Sequence, residues 1–210
     1  MSDTQQPGPH PQARRPVRRP ARERLLATAD ELFYAEGITS TGVDAVIEHA
    51  GVATGSLYKN FGGKDALVAA YLRARDDRWR TQWEACIAEC TDPIDRVLAL
   101  FTAIERWEQG QATDRGCAHV AAAVQLPAHH PGARVAAEHK QHLAERLHEL
   151  CADTGAADPS NLAQDLLLIY EGMHTMIAMN LDPDPISRAR QLAAQRLART
   201  QGSSSGTPLR

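Results

Sequence analysis

The stretch 51–67, GVATGSLYKNFGGKDAL, brings together residue types that bind phosphate. Its GGK segment is reminiscent of a nucleotide loop, in which glycine amides and a lysine surround phosphates. A complete loop of that kind needs a glycine where Tyr58 stands and a serine or threonine where Asp65 follows Lys64. No strand precedes the segment either, so a nucleotide loop is not predicted. Free amides at the start of a helix suit a DNA phosphate at the same place.

A helix-turn-helix motif is predicted on the N-terminal side of this segment. Val43 and Ile47 recur at helical spacing on a short helix, and Leu57 and Phe61 do so on the next. Between the two helices Gly51 can take the left-handed conformation that closes a tight turn. The apolar positions then form a small core, and the second helix of the motif is free to enter the major groove.

The early residues of that second helix are candidates for DNA contacts. Serine and threonine hydroxyls reach bases or phosphates, asparagine pairs with adenine, and lysine addresses guanine or phosphate. A glycine among them lets the backbone approach DNA closely. The outward positions are Thr54, Gly55, Ser56, Tyr58, Lys59 and Asn60.

Residues 22–67 resemble the DNA-binding domain of the TetR family of bacterial transcriptional regulators. The matching run is RERLLATADELFYAEGITSTGVDAVIEHAGVATGSLYKNFGGKDAL, and the helical remainder is similar to the family's nine-helix plan. Ile47 and Gly42 depart from the family pattern, which usually has alanine at the first position and serine or threonine at the second.

The resemblance implies a homodimer that presents two reading helices to a palindromic double-stranded DNA operator. It also implies phosphate contacts by Thr41, Tyr58 and Lys64, of which Thr41 is also placed to cap the second helix. Asp44 lies near the start of the same helix, where it accepts a hydrogen bond from cytosine or simply faces solvent.

Composition and charge set the domain plan. We expect a disordered basic arm at 1–20, a helix-turn-helix domain at 21–66, a regulatory and dimerisation domain at 67–200 and a flexible tail at 201–210. The arm and first helix carry Arg14, Arg15, Arg18, Arg19, Arg22 and Arg24. These arginines predict either a minor-groove arm or a solubilising tail, and both interpretations stay open.

The bulk properties favour a cytoplasmic all-α protein. The chain is 43% hydrophobic with a net charge of −3, so any nucleic-acid contact needs a local basic patch. Apolar residues recur at steps of three and four, and no run approaches the roughly 18 residues of a membrane span. The four cysteines lack CxxC spacing and are expected to be reduced core thiols.

The regulatory half is expected to hold a small hydrophobic effector. All three tryptophans lie on the fourth and fifth helices, where they either line an apolar cavity or fill the core. The candidate pocket residues are Trp79, Trp83, Cys86, Phe101, Ile104, Trp107, Cys117, Val120, Tyr170, Met173 and His174.

The eighth helix, NLAQDLLLIYEGMHTMIAMNL, is apolar nearly all round. Such a helix must be covered on several sides, by a partner subunit or by the rest of its own subunit. We favour the partner and expect a dimer interface that includes Leu162, Leu166, Ile169, Met176 and Leu192.

Other chemistries receive less support. His129, His130, His139 and His142 do not have the compact mixed spacing of a zinc site, and the GSSSG of the tail lacks the context of a nucleophile elbow. We therefore expect no metal, no cofactor and no catalytic set. The alternatives to an effector-released repressor are a ligand-independent DNA-binding protein and, with less support, an enzyme with an incidental helix-turn-helix.

Overall fold

The computed structural model describes residues 19–110 and 115–202, and within these ranges it contains nine helices and no strand. Their bounds are α1 Ala21–Glu36, α2 Val43–Ala50, α3 Thr54–Phe61, α4 Lys64–Ala88, α5 Pro93–Glu108, α6 Ala118–Gln125, α7 Pro131–Asp153, α8 Pro159–Met179 and α9 Pro185–Gly202. The all-α prediction is confirmed. Most of the predicted arm, residues 1–18, lies outside the described residues, as does the tail from 203 onward.

Capping groups explain where several helices begin. The side chains of Asp92, His130 and Asp158 each accept a backbone N–H of the following turn, and each is followed by proline at the first helical position. The predicted cap at Thr41 is wrong. Gly42 is the residue that precedes α2, and the Thr41 hydroxyl turns inward to donate to the Gly37 carbonyl oxygen at 2.8 Å.

Two hydrophobic cores are joined by α4. The first core fills the regulatory half between α4, α5, α7, α8 and α9, around residues such as Trp83, Phe101 and Leu147. The second lies beneath the helix-turn-helix, and it also takes in Ala122 of α6 and Val135 of α7. The DNA-binding half is therefore packed directly on the regulatory half.

Hydrogen bonds also fasten α6 to the end of α1. The Tyr34 hydroxyl donates to the Gly116 carbonyl oxygen at 3.1 Å, just before α6 begins. At the other end of α6, Gln125 Oε1 accepts the backbone N–H of Ile38 at 3.1 Å. A displacement of α6 therefore acts directly on α1. Among the described helices, none has the length and hydropathy needed to cross a bilayer.

Candidate DNA-binding surface and regulatory pocket

The turn between α2 and α3 has the predicted geometry. Gly51 ends α2 in the left-handed conformation, with φ 59° and ψ 43°. Arg24 supports the same turn from α1, because its Nη1 donates to the carbonyl oxygens of Ala50 and Gly51 at 2.6 and 2.8 Å. This arginine is thus engaged in the fold. Arg22, the other arginine of α1 assigned to the basic group, lies with its guanidinium 5.3 Å from the centre of the Phe61 ring.

The outer face of α3 is open to solvent while Leu57 on its inner face is fully buried. Tyr58 is 54% exposed although it is a large apolar ring, which is unusual unless the surface meets a partner. The Asn60 amide donates to the Ser56 carbonyl oxygen at 2.7 Å, so it must leave this bond before it can pair with a base. The exposed or half-buried candidates are Asp44, Thr54, Gly55, Ser56, Tyr58, Lys59, Asn60 and Lys64.

Lys64 is the first residue of α4 and therefore stands where free backbone amides and the positive end of the helix dipole meet. Thr41 does not share this outward placement. Its side chain is only 1% exposed, and its hydroxyl is held by backbone carbonyls of α1 and the following turn. The predicted Thr41 phosphate contact is therefore contradicted for the hydroxyl in this conformation.

A small cavity lies in the regulatory half between α4, α5, α7, α8 and the start of α6. It encloses about 30 Å³ and brings together an aromatic wall and a polar wall. Its lining consists of Arg75, Trp79, Ile104, Trp107, Glu108, Gly116, Cys117, Ala118, His119, His139, Tyr170 and His174. A drug-sized ligand needs a pocket of roughly 300 Å³ or more, so this cavity accommodates only a very small group without expanding.

The polar wall is built around two stacked imidazoles. The His119 and His139 rings lie 3.8 Å apart between centroids and are tilted by 12°. His139 Nδ1 lies 2.6 Å from Asp76 Oδ1, and His119 Nε2 lies 3.1 Å from the Leu72 carbonyl oxygen. Burial lowers the pKa of His119 to about 4, which keeps this ring neutral at physiological pH.

Cys117 faces the same two rings. Burial raises the pKa of its thiol, but the hydrogen bond with His139 and the charge of Lys140 outweigh burial and bring the pKa to about 7. The pKa of Asp76 falls to about 2, because hydrogen bonds from His139 and Arg80 outweigh the effect of burial. His139 therefore lies between a thiol that ionises readily and an ionised carboxylate, with a hydrogen bond to each.

His174 completes the polar part of the cavity from α8. The residue is 7% exposed, and neither ring nitrogen has a hydrogen-bond partner. Burial lowers its pKa to about 3, with the charges of Lys140 and His139 acting in the same direction. A buried imidazole with two unsatisfied nitrogens is costly and indicates a place where a ligand or water is accommodated.

Only some of the residues predicted for the effector pocket line the cavity. Trp79, Ile104, Trp107, Cys117, Tyr170 and His174 line the cavity. Trp83, Cys86, Phe101 and Met173 instead belong to the packed core, where each is at most 3% exposed. Val120 is 40% exposed on the outer side of α6 and lines nothing in the cavity. The pocket residues predicted from the sequence do not include Arg75, His119 or His139, which also line the cavity. Only the helical register of three separate segments could have placed these side chains together.

The residues predicted for the dimer surface also differ in their exposure. Leu162 and Leu166 are completely buried inside their own subunit, since α7 and α9 cover that side of α8, and the prediction is wrong for them. Ile169 is half-buried, while Met176 and Leu192 are 43% and 49% exposed. The structure adds Leu168 and Met179, which are 72% and 63% exposed on the uncovered side of α8.

The fold and the exposed second motif helix define a helix-turn-helix DNA-binding regulator. The family model for the bacterial regulatory proteins of the tetR family matches residues 25–71, and the tetracyclin repressor-like C-terminal domain matches residues 93–193. The chain belongs to the TetR family of transcriptional regulators, as the resemblance of residues 22–67 predicted.

Known relatives agree with this assignment. The transcriptional regulator YjdC of Escherichia coli is 26% identical over 176 residues, which are 82% of this chain and 91% of YjdC. LmrA of Bacillus subtilis is 34% identical over 82 residues, which are 39% of this chain and only 44% of LmrA. A TetR-family regulator from Streptomyces coelicolor has a similar crystal structure, with a TM-score of 0.76 and 29% identity over 89% of this chain and 96% of its own.

Proposed function

We propose that this regulator acts in the bacterial cytoplasm as a homodimeric repressor that a small molecule releases from a palindromic operator. The observation that carries the proposal is the exposed face of α3 behind a rigid turn, joined through α1 and α4 to a cavity in the regulatory half. DNA binding as a regulator follows from the family, and the operator contacts, the dimer and the effector are the proposed parts.

The exposed face of α3 supplies the operator contacts. Thr54, Ser56 and Lys59 approach base edges or the adjoining backbone, and Asn60 joins them after its intrahelical bond opens. Tyr58 and Lys64 hold phosphates on either side and fix the register of the helix. Asp44 is exposed close by and faces solvent at the rim of this surface.

The dimer is proposed to form through the uncovered side of α8 together with α9. Leu168, Met176 and Met179 follow one another at helical spacing along this side, and Leu192 extends the surface onto α9. Large exposed apolar side chains in a continuous strip are typical of a protein interface. Two subunits joined there would present two reading helices related by a two-fold axis.

Release is proposed to follow from a population shift. The Gly116 carbonyl oxygen that holds Tyr34 lies one residue from Cys117 in the cavity wall. A ligand that prefers a displaced α6 therefore also prefers a displaced α1, and reading helices with altered spacing bind the operator less tightly. Two half-sites lie roughly 34–36 Å apart, so a small rotation of each head is sufficient.

The lining changes the expected chemistry of the effector. Trp79, Trp107 and Tyr170 offer apolar ring surface. Arg75 offers a positive charge, and the histidines offer hydrogen bonds. A purely hydrophobic effector would leave these polar groups without compensation. We therefore expect an effector that combines a small polar or ionic group with an apolar part, and that enlarges the cavity as it binds.

Operator binding can be tested without knowing the target genes. Full-length protein selects sequences from random duplex DNA, and the enriched sites are then measured by fluorescence anisotropy. The proposal predicts a palindromic site with half-sites one helical turn or a multiple apart. Enrichment of no sequence, or of a single unrepeated half-site by a monomer, would contradict it. Operator binding that no small molecule alters would favour the ligand-independent alternative, for which the small size of the cavity is the supporting observation.

A further inference from the structure

Three side chains that bind transition metals meet in the wall of the cavity. Cys117 directly precedes α6, His119 follows it by two residues, and His139 lies on α7. One potential ligand atom from each residue lies within 4.8 Å of the other two. The two histidines are 20 residues apart along the chain, so the grouping is a product of the fold.

Both imidazoles are held in the way that metal-ligating histidines are held. His139 uses Nδ1 to bond Asp76 at 2.6 Å, and His119 uses Nε2 to bond the carbonyl oxygen of Leu72 at 3.1 Å. A carboxylate or a backbone carbonyl on the far nitrogen fixes the ring and leaves the other nitrogen as the electron-pair donor. His139 Nε2 and His119 Nδ1 are therefore the nitrogens left for a ligand.

The space beside these atoms fits a small ion. The cavity of about 30 Å³ has room for about two waters, far less than an organic effector needs. His174 lines the same cavity, is 7% exposed and has no partner for either ring nitrogen. This unpartnered imidazole is an independent sign that something polar occupies the cavity.

We propose that Cys117, His119 and His139 form a binding site for a divalent transition-metal ion of the zinc class. One thiolate and two imidazoles are a donor set that zinc accepts, with a fourth position left for water or for a group of the effector. His174 lines the cavity beside that position and can hydrogen-bond the fourth ligand. Binding displaces the proton shared by the Cys117–His139 pair to solvent, and no electron is transferred.

The ligand atoms need only a small adjustment. Around a tetrahedral zinc, nitrogen and sulfur ligands lie about 3.3–3.6 Å from one another. The atoms are now within 4.8 Å, so the approach of each is on the order of 1 Å. The nearly parallel rings must also turn apart so that their lone pairs converge, which rotation about the side-chain bonds of His119 allows once its bond to Leu72 adjusts.

An ion at this site would join α6 to α7 and, through Asp76 and the Leu72 carbonyl, to α4. These elements connect to the DNA-binding half, so metal occupancy would alter operator affinity. This regulatory consequence rests on the proposed function, whereas the site itself does not. The experiment therefore measures metal binding and operator binding separately.

The probe for the site is Co²⁺, which takes the same ligands as zinc and is visible by absorption. Protein treated with chelator and then desalted is titrated without DNA. We expect one ion per chain, visible bands of tetrahedral cobalt and a near-ultraviolet thiolate-to-cobalt band. Cys117→Ser removes the thiolate band and weakens binding more than 10-fold, and His139→Gln also weakens it. Cys90→Ser and His148→Asn are matched controls that leave the titration unchanged, because neither side chain lines the cavity and His148 is exposed.

Two results would overturn the site. One is the absence of a thiolate-to-cobalt band in folded wild-type protein, and the other is equal Co²⁺ affinity in wild type and Cys117→Ser. Circular dichroism of each variant separates loss of a ligand from loss of folding. Asp76→Asn keeps all three ligands but removes the carboxylate that orients His139, and we expect it to bind Co²⁺ 10–100-fold less tightly.

The second part of the experiment measures the operator affinity of wild type and Cys117→Ser with and without saturating Zn²⁺. A change of at least fivefold in wild type alone supports the regulatory consequence, and no change with the site filled overturns it. Failure to bind DNA under every condition would count against the proposed function and leave the Co²⁺ result unaffected.

Discussion

Arg75 Nη1 lies 3.1 Å from Asp30 Oδ1, so a side chain that lines the regulatory cavity is paired with the first helix of the DNA-binding half. The Arg75 guanidinium also lies 4.1 Å from the centre of the Tyr34 ring and 5.2 Å from that of Trp107. Trp107 belongs to the cavity and Tyr34 to α1. One buried cation therefore contacts both halves of the regulator.

The Asp30–Arg75 pair should contribute more to stability than the more exposed Asp30–Arg78 pair. Asp30→Asn removes the carboxylate beside Arg75, which is 5% exposed, and we expect a loss of about 1–3 kcal/mol in the free energy of unfolding. Arg78→Met breaks the second bond of Asp30 at a side chain that is 49% exposed, and should cost less than about 1 kcal/mol. Urea denaturation compares the two, and equal losses would show that Asp30 is not a special partner of Arg75.

Phosphate contacts should be visible in the salt dependence of operator binding. Lys64→Ala removes a charge at the start of α4, so affinity should fall for all sequences and the slope of log K against log salt should become shallower by about one. Arg96→Ala is the control, because Arg96 lies on α5 beyond the end of α4 that is distant from the motif, where it pairs with Asp153. An unchanged slope for Lys64→Ala would exclude the proposed phosphate contact.

Stability should depend on pH through His174. Its pKa is lowered from 6.5 to about 3 in the folded state, mainly by burial. The unfolded chain therefore binds the extra proton between these values, and the free energy of unfolding falls by about 2 kcal/mol from pH 7 to pH 5 through this group.

His174→Phe should remove that part of the pH dependence, whereas His148→Phe at an exposed position of α7 should not. Denaturation in the presence of chelator at pH 5, 6 and 7 measures both. Parallel curves for wild type and His174→Phe would mean that His174 is not held neutral by the fold.

The α8 surface should control the oligomeric state. Leu168→Glu places a charge at a position that is 72% exposed in the subunit, and in the dimer that charge would be buried. We expect a shift from dimer to monomer in sedimentation equilibrium and a loss of operator affinity. Val124→Glu tests the general effect of a new charge, because Val124 is 83% exposed on α6. Dimers of equal stability in both variants would place the interface elsewhere.

The DNA-binding half could be predicted closely because its signals are local. Gly51, Leu57 and the apolar positions of α2 follow one another within a few residues, and backbone sterics and helical spacing fix their roles. Thr41 was misplaced because its hydroxyl has two choices within one turn, a helix cap or the Gly37 carbonyl, and the sequence does not distinguish them.

The regulatory half could be predicted only in outline. An apolar pattern nearly all round α8 does not show which side α7 and α9 cover. The predicted dimer surface therefore included the buried Leu162 and left out the exposed Leu168. In the sequence His139 was grouped with His129, His130 and His142, but it is buried against Asp76 of α4 and His119 of α6. Such a grouping depends on the packing of three helices and leaves no pattern in any one of them.

The most direct test of the account is selection of operator DNA by wild type, followed by affinity measurement for Lys59→Ala and for Arg96→Ala. The account predicts a palindromic site that wild type and Arg96→Ala bind equally, since Arg96 lies at the end of the regulatory half distant from the motif. Lys59→Ala should bind the site at least 10-fold less tightly, because Lys59 is exposed on the face of α3 that enters the groove. Equal affinity of all three proteins for the selected site would contradict the assignment of α3 as the reading helix.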